Sequence, residues 1–256
     1  MENNIVGEYI FKVFPSEVDF RKKLTLPNLT NYLLNSAGNH AELYGFGLRE
    51  VNQHNLSWVL SRIVIEMYQY PCNRDKIKVL TWVESVMKMF TMRNFEFQNK
   101  NGETIGYART IWALIDKDTR RPIDLVKQGI PFRICDTKEC PIAKASKIPS
   151  VKADVKETFT VKYSDVDLNH HLNSSKYIEH IIDAFTLHKF SKRDIKRFEI
   201  EFMAECKFGE NISLLKCEYP NNEFIVELQN EEGKIVSKSK VVFGDQDLDE
   251  KYDLGV

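Results

Sequence analysis

The pentapeptide Ser16-Glu17-Val18-Asp19-Phe20 recurs as Ser164-Asp165-Val166-Asp167-Leu168, 148 positions further along the chain. Two further blocks recur in the same order. Residues 62–67 (RIVIEM) match residues 197–202 (RFEIEF) at an offset of 135, and residues 96–102 match residues 227–233 at an offset of 131. Three matches in one order, with slowly shrinking offsets, predict two homologous halves with shorter loops in the second.

Each half has the same predicted order of elements: a short strand, the shared block, one helix and four strands. The first helix runs from Pro27 to about Tyr44 and has an apolar stripe formed by Leu29, Tyr32, Leu33 and Ala37. The second begins near Ser174, with the stripe Tyr177, Ile178, Ile181, Ile182 and Phe185. Predicted strands are 9–14, 58–68, 76–83, 90–98 and 104–115, then 159–163, 197–205, 211–218, 223–229 and 234–243.

One helix followed by an antiparallel meander is an α+β plan, in which the sheet buries its apolar face by wrapping around the helix. This plan is the hotdog arrangement, and the sequence predicts two in tandem. The expected boundaries are residues 1–130 and 158–256, joined by a proline- and lysine-rich extended linker over residues 131–157. Residues 99–102 and 230–233 are predicted hairpin turns.

The bulk composition excludes several classes of function. The chain has 256 residues, 43% of them hydrophobic and 29% charged, and a formal net charge of -1. A nearly neutral chain provides no global attraction for nucleic acid, and no apolar stretch approaches the roughly 18 residues of a membrane span. The first 14 residues lack a basic region followed by an apolar run, so no signal peptide is predicted and a cytoplasmic location is expected.

The five cysteines are irregularly spaced. Cys135 and Cys140 have no second pair of cysteine or histidine residues nearby, which argues against a zinc site and a disulfide framework. We therefore expect no metal and no cofactor.

The two halves diverge directly after the shared block. Residues 167–173 read DLNHHLN, whereas residues 19–25 read DFRKKLT. At equal offset, Asn169 therefore corresponds to Arg21 and His171 to Lys23. A polar set able to exchange protons exists only in the second half, which favours chemistry there. A structural alternative remains, because Asn and Asp before a helix are ordinary caps and a single His is most often structural.

In an extended segment side chains alternate between two sides. This alternation predicts that four polar side chains of residues 167–173 line one side of the segment, while His170 points to the other. That set comprises Asp167, Asn169, His171 and Asn173. The segment leads into a helix N-terminus, whose free N–H groups can stabilise a carbonyl oxygen that becomes negative. A second candidate pair, Glu205-Cys206, ends the strand that begins at Arg197. The period of that strand places Cys206 on the core face, unless the ladder breaks at this point.

Residues 167–178 (DLNHHLNSSKYI) resemble the active-site stretch of plant and bacterial acyl-acyl-carrier-protein (acyl-ACP) thioesterases, D-x-N-x-H-x-N-x-x-K-Y-I, and Glu205-Cys206 falls on that family's E-C pair. Residues 45–47, 58–62, 70–71, 81–82, 102–104 and 118–121 of the first half resemble the family's landmarks in order. The likeness covers about residues 8–245. His170 and Ser174-Ser175 depart from the more usual Gln and Asn-Val.

The resemblance implies fold, activity and roles. It implies that the second hotdog carries catalysis and that the first shapes the acyl pocket. The implied catalytic set is Asp167, Asn169, His171, Glu205 and Cys206. Water attack is the preferred mechanism, with Glu205 and His171 activating the water. Asn169 and the helix N-terminus would hold the carbonyl, and Asp167 would orient its neighbours. A Cys206 thiolate is the second choice as nucleophile.

Other classes of function also fit the sequence. A hotdog acyl-CoA hydrolase or dehydratase is one, and a non-catalytic acyl-binding module is another. The implied partner is an acyl carrier protein, which is strongly acidic and calls for a basic docking patch; a homodimer is possible. The candidate patches are Lys22 with Lys23, Arg120 with Arg121, the linker lysines Lys138, Lys144, Lys147, Lys152 and Lys156, and the run Lys192, Arg193, Lys196 and Arg197.

Overall fold

The computed structural model describes residues 5–151 and 157–246, and the chain divides into two compact units, residues 1–144 and 145–256. The first unit contains β1 (Gly7–Lys12), α1 (Leu26–Leu43), α2 (Leu48–Gln53), β2 (Leu56–Met67), β3 (Lys76–Val86), β4 (Thr91–Gln98) and β5 (Thr104–Asp116). The second contains β6 (Glu157–Thr160), α3 (Ser174–Asp183), α4 (Leu187–Lys192), β7 (Arg193–Phe202), β8 (Asn211–Tyr219), β9 (Glu223–Asn230) and β10 (Ile235–Asp245).

The strands of each unit pair in the same antiparallel order. The first unit has the order β1-β3-β4-β5-β2, and the second has β6-β8-β9-β10-β7. Every predicted strand is present with its ends shifted by a few residues, and the α+β hotdog prediction is confirmed.

The main helices bury the predicted stripes. In α1, Leu29 and Leu33 are fully buried, and Ala37 is nearly so. In α3, Tyr177, Ile178 and Ile181 are buried, and the ring of Tyr177 meets that of Phe202 of β7 edge-on at 5.4 Å. Burial of these apolar faces is the main stabilising contribution to each unit.

The prediction of one helix per half is wrong in detail, because a short second helix follows each main helix. Helices α2 and α4 have six residues each. Six residues are less than two helical turns, so the period of their apolar residues carries no signal. In the second unit α4 leads directly into β7, which consequently begins at Arg193 rather than at Arg197.

The backbone reproduces the third repeated block as a pair of matching hairpin turns. The hairpin turn that contains Gly102 is closed by Asn99 N–H to Glu103 O (2.9 Å), and the turn that contains Gly233 is closed by Asn230 N–H to Lys234 O (3.0 Å). Both glycines have left-handed backbones, with φ of +84° and +74°, which a side chain would strain. The predicted hairpins are therefore confirmed.

The region predicted as a linker forms no helix or strand over residues 131–151 and packs on the sheets, and its last residue, Glu157, already begins β6. In the first unit Arg109 donates to the carbonyl oxygens of Cys140 and Ile142. In the second, the Glu199 carboxylate accepts from the N–H and the hydroxyl of Ser146 at 2.7 and 3.0 Å. Glu199 is therefore buried, although strand alternation predicts an exposed position. Lys152 and Lys156 lie outside the described residues.

Candidate functional site

Residues 167–171 form a closed turn, so the predicted extended segment with alternating side chains is wrong. Asp167 N–H donates to His171 O (2.8 Å), and His170 N–H donates to Asp167 O (3.0 Å). His170 adopts a left-handed backbone with φ of +65°. The side chains of residues 167–173 therefore do not share one side, and each has its own environment.

The Asp167 carboxylate organises this turn. Its Oδ1 accepts from the N–H of Asn169 (2.8 Å) and from the N–H of His171 (3.2 Å). This geometry is an Asx turn, in which a side-chain oxygen replaces a backbone acceptor. The arrangement agrees with the orienting role that the resemblance implies for Asp167.

His171 and Glu205 are brought together although they are far apart in sequence. Nε2 of His171 lies 3.3 Å from Oε2 of Glu205, and the two side chains are 20% and 39% exposed. The backbone fixes this pairing, because Leu172 N–H donates to Cys206 O (2.8 Å) and His171 forms a bridge with Lys207. An imidazole beside a carboxylate, both within reach of water, can take up and release a proton.

A bulge at the end of β7 aims Glu205 at the turn. The N–H groups of Met203 and Ala204 both donate to Val236 O, at 2.9 and 3.2 Å, so the regular ladder stops there. The first unit has the same bulge, with the N–H groups of Tyr68 and Gln69 on Ile105 O. The β7 ladder therefore breaks before Cys206, an alternative that the sequence left open.

Cys206 is fully buried, in agreement with the core position that strand alternation predicts for it. The Tyr177 hydroxyl lies 3.1 Å from Ala204 O and 3.1 Å from Cys206 Sγ. The Tyr177 hydroxyl is the donor in both contacts, so its single proton is shared between the carbonyl oxygen and the sulfur.

Burial dominates the electrostatics of Cys206. Burial raises the pKa of the Cys206 thiol to about 11, although the Tyr177 hydrogen bond acts to lower it. His171 pairs with Glu205 and has no bond to the sulfur. Tyr177 was predicted only as a core residue, and no local sequence pattern indicates that its hydroxyl reaches a strand about 30 residues away.

The N-terminus of α3 offers fewer free donors than the sequence suggests. Asn173 is the N-cap, and its Oδ1 accepts from the N–H (2.9 Å) and the hydroxyl (3.0 Å) of Ser175. The N–H groups of Lys176 and Tyr177 donate to Asn173 O. Among the described residues, Ser174 N–H is the one first-turn donor without an acceptor. Asn173 is therefore a cap and does not join the other polar side chains.

Asn169 lies at the exposed tip of the turn. Its own N–H is taken by Asp167, and its side-chain amide has no hydrogen bond to any residue between 5–151 or 157–246. The structure thus assembles His171 with Glu205 and Cys206 with Tyr177. It leaves the Asn169 amide available to a ligand.

The first unit builds the same turn with different chemistry. Asp19 Oδ1 accepts from the N–H of Arg21 (2.8 Å) and of Lys23 (3.2 Å). The Arg21 guanidinium folds back onto Asp19, with Nη2 2.6 Å from Oδ2. Tyr70 and Pro71 stand where the second unit has Glu205 and Cys206. The acid–base pair is therefore peculiar to the second unit.

A cavity lies beside the turn in the second unit, and sequence reasoning missed it. The ring of His180 stacks on Phe159 at 3.7 Å, and its Nε2 lies 3.5 Å from Oδ1 of buried Asp165. The first unit has Tyr32 at the position of His180, and its hydroxyl donates to Glu17 (2.6 Å). Comparison of the two repeats is the only sequence signal that points to this difference.

Within the described ranges, no group of three or more His, Cys, Asp or Glu side chains is arranged to hold a metal ion. No helix among them is long and apolar enough to cross a membrane.

Comparison with known families gives a consistent result over both units. Residues 7–130 match the model of the acyl-ACP thioesterase N-terminal domain, and residues 148–247 match that of the C-terminal domain. Among curated proteins, the chain is 25% identical over 263 residues to oleoyl-acyl carrier protein thioesterase 2 of Arabidopsis thaliana. It is 27% identical over 223 residues to the palmitoyl-acyl carrier protein thioesterase of the same plant. These alignments cover 94% and 80% of this chain, and 70% and 53% of the two relatives.

Solved structures agree. An acyl-ACP thioesterase from Bacteroides thetaiotaomicron superposes with a TM-score of 0.90 at 44% identity, over 95% of this chain and all of the other. The 12:0-ACP thioesterase from Umbellularia californica superposes with a TM-score of 0.83 at 21% identity, over 95% of this chain and 98% of the other. At 21% identity, the second match shows only that the two proteins share the same fold.

The Cys206 environment predicts slow reaction with alkylating agents. At pH 8 a thiol of pKa about 11 is ionised in only about one molecule in a thousand, and only the thiolate reacts. With iodoacetamide on the native protein, exposed Cys72 should be modified first and Cys206 last, as followed by peptide mass spectrometry. Equal modification rates for the two cysteines would contradict the buried-thiol assignment.

Proposed function

Because the chain belongs to the acyl-ACP thioesterase family, we propose that it hydrolyses fatty acyl-ACP thioesters to a free fatty acid and carrier protein, a reaction that ends fatty acid synthesis. The observation that carries the proposal is the His171–Glu205 pair, with 3.3 Å between Nε2 and Oε2. The pair lies at a turn where the first unit has Lys23 and Tyr70, neither of which can exchange a proton as readily near pH 7.

Thioester hydrolysis needs a base for the attacking water. A water molecule forms the new carbon–oxygen bond at the acyl carbon, and Glu205 accepts the proton that it releases. His171, which contacts Glu205 through Nε2, orients the carboxylate and shares the proton that it accepts. The exposure of both side chains supports this assignment, since the attacking water must reach them.

Collapse of the tetrahedral intermediate breaks the carbon–sulfur bond. The proton held by the pair passes to the departing sulfur of the carrier protein's prosthetic group, so the products are a carboxylic acid and a thiol. Asn169 donates its amide N–H to the acyl oxygen as that oxygen becomes negative. Asp167 holds the Asn169 and His171 backbones at the turn, and thereby orients the site through hydrogen bonds of 2.8 and 3.2 Å.

Cys206 is a bystander in this mechanism. A buried thiol with a raised pKa and a hydrogen-bonded partner is a poor nucleophile. We infer that its role is to anchor, with Tyr177, the strand end that presents Glu205.

We also propose a division of labour between the two units, with catalysis in the second and the acyl pocket in the first. The first unit keeps the buried helical stripe but replaces the reactive side chains with Arg21 and Lys23. We further propose a cytoplasmic location. A homodimer is also proposed, and light scattering measures it directly.

The first test of the function is removal of His171. His171→Ala should lower kcat for acyl-ACP roughly 10²–10⁴-fold, because a positioned acid–base group is worth that much. His170→Ala, one residue away on the same turn, is the matched control and should retain most of the activity. The same acyl chain should be assayed on carrier protein and on CoA. Near-normal rates for His171→Ala would contradict the assignment of His171 as an acid–base group. A clear preference for the CoA thioester would favour an acyl-CoA hydrolase.

A second comparison separates the two nucleophile models. Glu205→Gln keeps the shape of the side chain but removes the base, so kcat should fall by a similar order to that of His171→Ala. Cys206→Ala should retain substantial activity. Steady-state kinetics with intact-mass analysis of the enzyme during turnover measures both. An acyl adduct on Cys206 would show that the Cys206 thiolate, and not water, is the nucleophile.

A third experiment tests the acyl pocket. Ala37→Leu adds bulk to the buried face of α1 and should shorten the preferred acyl chain, because volume near the helix limits pocket depth. Asn39→Leu places the same side chain on an exposed position of α1 and is the control. The measurement is the profile of released acids from a mixture of chain lengths. An unchanged profile for Ala37→Leu, together with changes caused only by second-unit variants, would contradict the division of labour.

A further inference from the structure

The first unit's copy of the site turn forms one continuous surface from three segments, residues 12–14, 19–24 and 72–76, which we name the basic turn surface. Backbone hydrogen bonds tie the segments together. Arg74 N–H donates to Val13 O (2.9 Å), Asn73 N–H donates to Lys22 O (2.8 Å), and Leu24 N–H donates to Pro71 O (2.8 Å). The relative positions of its side chains are therefore fixed by the fold.

The two units differ sharply in charge at this place. Residues 12–24 and 70–76 of the first unit contain six cationic side chains and three carboxylates. The equivalent residues 160–172 and 205–211 contain two lysines and four carboxylates. The same backbone therefore carries a positive surface in the first unit and a negative one in the second.

The three carboxylates in or beside the basic turn surface each accept a hydrogen bond from the chain itself. Glu17 accepts from the Tyr32 hydroxyl (2.6 Å), Asp19 accepts from Arg21 (2.6 Å), and Asp75 accepts from Cys72 N–H (2.8 Å). Four of the cations are exposed to solvent, and among the three carboxylates only Asp75 is. The four cations are Lys12, Lys22, Arg74 and Lys76. The surface therefore presents more positive than negative charge to solvent.

Two features of this surface are unfavourable for stability and are nevertheless present. Lys12 lies directly opposite Lys76 in the β1–β3 pair, and like charges in that position destabilise a sheet. The second unit has Thr160 opposite Asn211, joined by a hydrogen bond of 2.6 Å.

The second unfavourable feature is the backbone of Arg74. Its φ is +73°, a left-handed conformation that is strained for any residue with a side chain. The second unit has Gly209 at that position, with φ of +86°. Lysine on an edge strand can serve to prevent unwanted strand pairing, which accounts for Lys12. It does not account for Arg74 or Lys22, which lie on turns outside the ladder.

Apolar side chains complete the surface. Phe14 is 53% exposed and Phe20 is 39% exposed. Lys12 Nζ lies 5.9 Å from the Phe14 ring, and the Arg21 guanidinium lies 5.7 Å from the Phe20 ring. Exposed aromatic groups among cations suit a protein partner that presents carboxylates around an apolar contact.

We propose that the basic turn surface is where the acidic carrier protein docks, an inference that rests on the proposed function. Charge complementarity selects this surface over the other basic candidates. Several of those are already paired, since Lys138 contacts Glu96 (2.5 Å), Arg193 contacts Asp245 (2.9 Å) and Arg197 contacts Glu199 (2.8 Å). In this way the first unit's copy of the turn, which lacks the acid–base pair, has a function of its own.

The test uses the full chain with two variants, Lys22→Glu and Arg74→Gly. The second restores the glycine found in the other unit, so it removes charge while relieving backbone strain. Lys88→Glu is the matched control, because Lys88 is exposed just beyond the opposite end of β3. Each variant is assayed with one acyl group carried either by the carrier protein or by neutral N-acetylcysteamine, at low and high salt.

We expect Lys22→Glu to lower kcat/KM for acyl-ACP on the order of tenfold at low salt, because rim charges act on association rate. High salt should largely abolish the difference. Arg74→Gly should lower kcat/KM less, with unchanged or raised thermal stability. Turnover of the N-acetylcysteamine thioester should be unchanged in both variants.

Three outcomes would overturn the docking proposal. One is an effect of Lys22→Glu no larger than that of Lys88→Glu, and another is equal loss on both substrates. The third is a change in molar mass by light scattering with no selective loss on acyl-ACP, which would identify a self-association surface. Failure of the proposed function is distinguishable, because the wild-type chain would then not hydrolyse acyl-ACP at all.

Discussion

One carboxylate that accepts two backbone N–H bonds from its own turn is the constraint on which the site depends. Asp167 closes the turn in the second unit, and Asp19 closes it in the first, with matching distances of 2.8 and 3.2 Å. The turn then pairs with the strand end at residue 206 or 71. Because this closure uses only backbone groups and one side chain, the remaining side chains of the turn are free to differ.

The two units show what that freedom allows. In the second, His171 meets Glu205 and the surrounding charge is negative, which suits proton exchange with water. In the first, Lys23 and Tyr70 occupy these two positions, and Arg21, which corresponds to Asn169, is paired with Asp19. A duplicated scaffold can thus keep chemistry in one copy, while the other copy is released for recognition of substrate or partner.

Buried polar groups connect the repeat to the segment between the units. Glu199 and Glu227 would face solvent by strand alternation, yet both are buried and accept hydrogen bonds from Ser146 and Val151. Burial of an unpaired carboxylate is costly, so these hydrogen bonds are needed for the segment to cover the sheet. The segment therefore contributes to the structure of the sheets as well as joining the units.

The sequence by itself determined the duplication, the order of strands and main helices, and the identity of the polar residues after the shared block. These features have local periods or recur in the same order along the chain, and both signals can be read without knowledge of distant contacts. Only the tertiary structure decided that residues 167–171 form a turn, that His171 meets Glu205, and that the Tyr177 hydroxyl reaches Cys206. The turn is closed by the backbone and by the Asp167 side chain, which a period of alternating residues does not reveal. The other two contacts join residues about 30 positions apart, which no local period encodes.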